Sequence, residues 1–168
     1  SPFLIVGRSL GRVTGAVKRR RHASVTAAVG FFPCSITTGW YGPAMSQPTA
    51  RTRLQDAQRT DNSLETRFDC AYTAIRAVAD AALHAQGWRT STSKPGHHQT
   101  TLQCLVHTLG VSPATVRVLD ALRKQRNLSD YDGELVTDQA LHECLQQAAA
   151  LVQLAEQQLQ VFVNKNTP

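Results

Sequence analysis

The densest run of chemically capable side chains is Arg123-Lys124-Gln125-Arg126-Asn127-Leu128-Ser129-Asp130-Tyr131-Asp132-Gly133. Its first four residues fall at the end of a helix expected over residues 113–128, where cations complement the negative end of the helix dipole. That role accounts for Arg123 and Lys124. Arg126 is different, because it lies seven residues after Leu119 and four after Leu122, on the stripe that faces inward. An unpaired guanidinium there is prohibitively costly, so Arg126 must reach carboxylates, a phosphate or a partner subunit.

Two other polar groups have suitable chemistry. His97 and His98 start a helix, where unpaired amides and the positive dipole end favour anions; a capping or packed role is the ordinary alternative. Glu65 and Asp69 stand four apart on one face of another helix. That spacing suits a carboxylate pair or a metal, but an ion-pair network with the neighbours of Arg67, or with Arg123 and Arg126 across the bundle, is the stronger expectation. Cys34, Cys70, Cys104 and Cys144 are scattered singly. They read as small buried hydrophobes of a reducing, cytoplasmic protein rather than disulfide or zinc ligands, although Cys104 and His107 are one turn apart. No metal or cofactor is expected.

These side chains must be positioned by helices. Leu64, Phe68, Ala71 with Tyr72, Ile75, Ala79 and Ala82 with Leu83 recur at steps of three and four, predicting a long amphipathic helix over 62–86, with Ser63 as N-cap and Gly87 as stop. Leu102, Leu105, Val106 and Leu109 define a helix over 97–109. Ser112-Pro113 starts the next, which carries Val116, Leu119 and Leu122 inward and ends before the turn Asp130–Gly133. Leu141, Leu145, Ala148, Val152, Ala155, Leu159 and Phe162 line a last helix over 138–162. Residues 49–60 are weakly helical. No stretch alternates with period two for long enough to be a strand. The expected fold is all-α, an antiparallel bundle of four to five helices.

On the residues Glu65-Thr66-Arg67-Phe68-Asp69, Ala71-Tyr72, Gly96-His97-His98 and Arg126-Asn127 before a turn, the chain resembles the HEPN superfamily over about residues 62–160. The resemblance implies a dimerising helical bundle. It also implies a metal-independent endoribonuclease of toxin–antitoxin or defence systems, with an antitoxin or nucleotidyltransferase as partner. The family signature is Arg, four to six residues beginning with a polar one, then His. Arg126 and Asn127 match, and Tyr131 stands where His would be. Histidine suits proton transfer at a ribose 2′-hydroxyl because it titrates near neutrality; tyrosine, near 10, is better suited to stacking on a base or donating a hydrogen bond. The resemblance therefore assigns the catalytic positions to Arg126, Asn127 and Tyr131, nucleic-acid contacts to Arg123, Lys124, His97 and His98, and support to Glu65 and Asp69. The alternative is a non-catalytic partner, adaptor or DNA-associated module.

Charge sharpens the division of the chain. The net charge is +6, and residues 1–44 hold six cations and no acid, whereas residues 45–168 hold twelve of each. The high isoelectric point thus says nothing about the helical part. Residues 1–44 read as a disordered basic extension, either a targeting segment or sequence upstream of a start at Met45, the only methionine. Residues 45–61 read as a polar lead-in, 62–162 as the domain and 163–168 as a disordered tail. The apolar run Ala23–Cys34 is far short of the ~20 residues needed to span a bilayer.

Overall fold

The computed structural model describes residues 36–38, 47–91, 95–132 and 135–166, with side chains over 49–91, 95–129 and 135–158. Five helices run in order: α1 (Gln47–Gln58), α2 (Leu64–Ala85), α3 (His97–Thr108), α4 (Pro113–Asp132) and α5 (Asp138–Asn166). The all-α bundle expected from the periodicity is what forms. A short antiparallel ribbon is added to it by β1 (Ile36–Thr38) and β2 (Trp88–Thr90), with Thr37 opposite Arg89. Residues 36–38 belong to the segment that carried no expected fold, and β2 lies in what read as a plain connection. Three-residue strands are too short to leave a period-two signal. Met45, Cys34 and the basic cluster Lys18–Arg21 lie outside the described residues.

Helix α2 is the axis of the bundle and touches every other helix. Its inward face is Phe68, Cys70, Ala71, Tyr72, Ala74, Ile75, Val78, Ala79, Ala81, Ala82 and Leu83. Many of these are alanines, which let neighbouring helix backbones approach closely. Helices α1 and α5 answer with small residues of their own, buried Ala50 and Ala57 on one and Ala148 and Ala155 on the other. The expected inward residues of α4, Val116, Leu119 and Leu122, are buried as well.

Local signals set most boundaries. Ser63 Oγ accepts the Thr66 amide at 3.2 Å and Ser112 Oγ accepts the Thr115 amide at 3.0 Å, both N-caps. Gly110, at φ +69°, closes α3 while the Val111 amide reaches back to the Leu105 carbonyl at 3.3 Å.

Three boundaries differ from the sequence reading. The lead-in over 45–61 contains a packed bundle helix, α1. Arg67 Nε donates to the Ala57 carbonyl at 3.0 Å, satisfying its C-terminal end, and Arg51 pairs with Glu156 of α5 at 2.7 Å. Helix α5 continues through Asn166 rather than ending at 162, so most of the expected tail is helical. Helix α4 runs to Asp132, so no turn follows Asn127. Asn127, Ser129 and Asp130 are only mild helix breakers, and the first strong one is Gly133.

Candidate nucleic-acid-binding site

The extension of α4 changes what its cations do. None lies in the last turn, so the dipole account of Arg123 and Lys124 lapses. Both instead bind Asp120, at 2.8 and 3.2 Å, one turn back on the same helix. Burial pushes the Asp120 carboxyl up, but hydrogen bonds from Arg123 and Lys124 outweigh it and hold it below its ordinary value.

Arg126 points inward, as its place on the stripe requires. Its Nε donates to Asp69 Oδ1 at 2.6 Å and its Nη2 lies 2.6 Å from the same oxygen, an ion pair that bridges α4 to α2. The guanidinium carbon lies 5.5 Å from the centre of the Tyr72 ring, within cation–π range. Asp69 is thus an ion-pair partner rather than half of a carboxylate pair. Glu65 is exposed in the first turn of α2, and no cluster of three or more metal-ligating side chains occurs among the described residues. Cys104 is buried while His107, one turn on, is exposed. Burial pushes the Cys104 and Cys144 thiols up to about 12, as expected of small core residues.

Asn127 is exposed on α4. Tyr131 is within the helix, and its side chain lies outside the described residues. Five helical residues separate it from Arg126, which puts the two positions about 140° apart around the axis.

The first turn of α3 faces this region. His97 and His98 pack edge to face with ring centres 4.1 Å apart, and Gly96 before them supplies no side-chain cap. Burial, reinforced by the positive charges of Arg76, His97, Arg126 and Arg123, lowers His98 to about 4. His98 is therefore neutral near pH 7, a proton acceptor surrounded by arginines. The α2 residue Asp80 is pushed up by burial against the opposing pull of Arg76, His84 and His97.

Tyr72 and Arg76 complete the cluster, and the sequence reading missed both. Tyr72 is 1% exposed, and its hydroxyl has no hydrogen-bond partner among the described residues. Burial raises it to about 12 despite the nearby charges of Arg76, Arg123 and Arg126. Arg76 makes no hydrogen bond or ion pair among the described residues. The missed signal was a polar row, Asp69, Tyr72, Arg76 and Asp80 at steps of three and four, running beside the apolar stripe to which Tyr72 was assigned.

Three helices thus contribute to one charged region: Arg126 lies 5.5 Å from the centre of the Tyr72 ring, and the charges of Arg76, Arg123 and Arg126 act on both Tyr72 and His98. Such a cluster binds anions, and phosphate best, because guanidinium donors match its oxygens. When the chain was compared with protein-family models and with curated proteins, nothing matched.

Proposed function

We propose that this chain is a HEPN-like helical domain that binds RNA through its phosphates at the α2–α3–α4 cluster. The observation that carries this reading is the Arg126 guanidinium 5.5 Å from the centre of the Tyr72 ring, whose buried hydroxyl has no hydrogen-bond partner among the described residues, in the same field of Arg76 and Arg123 that acts on His98. Arg76 and Arg126 hold the phosphate. His98 is neutral at physiological pH, and a bound phosphate, by opposing the field of the arginines, would raise it from about 4 toward the range in which it accepts a proton from a ribose 2′-hydroxyl. Asn127 and Lys124, exposed on α4, extend contacts along the strand. The homodimer, the antitoxin or nucleotidyltransferase partner, the toxin–antitoxin or defence setting and the cytoplasmic location belong to this proposal through the resemblance to HEPN proteins.

The second reading is a non-catalytic binding partner. Two observations favour it: tyrosine occupies the signature histidine position, and Arg126 is already engaged by Asp69. Labelled RNA incubated with the purified protein in chelator separates the two. The enzyme reading predicts cleavage that is lost in Arg126→Ala and His98→Gln. Binding without cleavage in the native protein supports RNA recognition without catalysis, and no binding at all refutes the RNA reading in favour of the partner or adaptor module.

A further inference from the structure

The Arg126–Asp69 pair is built in a way that bears on how a phosphate enters the cluster. Nε of Arg126 donates to Asp69 Oδ1 at 2.6 Å, and Nη2 sits 2.6 Å from that same oxygen. That is the guanidinium edge best suited to grip a phosphate, so a ligand cannot use it while Asp69 does. The Asp69 side chain is 47% exposed and that of Arg126 24%. Releasing the carboxylate therefore returns it to water rather than stranding a buried charge. The guanidinium already lies over the Tyr72 ring, so it can turn on that platform without leaving the cluster.

We infer that Asp69 is an internal competitor for the bound phosphate: its carboxylate occupies Arg126, and RNA binds by taking the guanidinium over. This rests on the RNA-binding reading above and adds a control point to it. The exchange favours the ligand because a phosphate gains Arg76, which makes no ion pair among the described residues, together with Arg126, whereas Arg126 is the one ion-pair partner of Asp69 among the described residues. Glu65, one turn earlier on α2, is exposed and makes no ion pair among the described residues, so it has the same charge without the grip.

The test compares the affinity of a fluorescent oligouridylate for the native chain, Asp69→Asn, Glu65→Gln, Arg126→Ala and the Asp69→Asn/Arg126→Ala double variant at fixed salt. Asp69→Asn should tighten binding by about three- to tenfold, beyond whatever Glu65→Gln gives by loss of one nearby negative charge, and the gain should vanish in the Arg126→Ala background. Equal effects of Asp69→Asn and Glu65→Gln, or weaker binding by Asp69→Asn, overturn the inference while leaving the RNA-binding reading intact. If neither the native chain nor Asp69→Asn binds, the RNA-binding reading fails and the inference with it. A measurement on the native chain stands even if Asp69→Asn misfolds. The Arg126 Nε–H resonance must shift as oligouridylate is titrated, and a resonance that stays fixed while binding proceeds refutes the exchange.

Discussion

His98 carries the clearest consequence at the scale of single residues. Its value of about 4 lies below the ordinary 6.5 of histidine, so between those values the unfolded chain holds a proton that the folded chain does not. Its contribution to stability is therefore full above pH ~6.5 and falls as the pH drops toward 4. Denaturant midpoints measured across this window should fall with acid in the native protein and fall less in His98→Gln. In the proposed complex a bound phosphate would oppose the field of the arginines and raise His98, so RNA binding would take up a proton. Oligouridylate affinity should then rise as the pH is lowered from about 7 to about 5, and the rise should shrink in His98→Gln. An affinity independent of pH would separate His98 from the bound phosphate. At this scale the sequence revealed Arg126 and its need for a partner, because inward position follows from spacing alone. It favoured an ion pair with a carboxylate of α2 but did not single out Asp69 with Arg126, since that depends on which residue of α2 lies opposite. Tyr72 was legible as a core ring but not as a polar atom, because periodicity sorts whole residues and ignores the hydroxyl at the end of one.

The helices were legible where caps and apolar repeats agreed. Ser63 and Ser112-Pro113 each acted as read, because their effect is local. Replacing Ser112 by Ala should cost about 1 kcal/mol of stability through the lost cap. The errors came where tertiary contacts decide. Helix α1 looked polar because it buries only small residues, and its stability derives from packing on α2 and from Arg67 and Arg51 at its ends. The end of α4 was placed too early because a cluster of Asp, Asn and Ser resembles a turn, yet no strong breaker precedes Gly133. Close approach of helices over alanine makes a second prediction. Ala71 is fully buried on α2, so Ala71→Leu should destabilise the bundle by about 1–3 kcal/mol, measured by chemical denaturation, and a neutral result would show that the interface is loose.

For the molecule as a whole, the excess of positive charge and the working charge are in different places. The +6 resides in residues 1–44, while the cluster proposed to bind RNA lies in a remainder of balanced charge. No described helix is long and apolar enough to cross a membrane. Residues 36–38 contribute one strand of the ribbon and no helix–helix contact, so removing residues 1–44 should leave the helical circular dichroism of the bundle and its RNA affinity essentially intact. The central claim is that phosphate binds where Arg76, Arg123 and Arg126 converge. Arg76 tests it most cleanly, because it makes no ion pair among the described residues, so its loss breaks no salt bridge between helices. The decisive measurement is the salt dependence of oligouridylate affinity for the native chain and Arg76→Ala. The account predicts about tenfold weaker binding and a slope against log salt shallower by about one in the variant. Identical affinity and slope in the two proteins would contradict it.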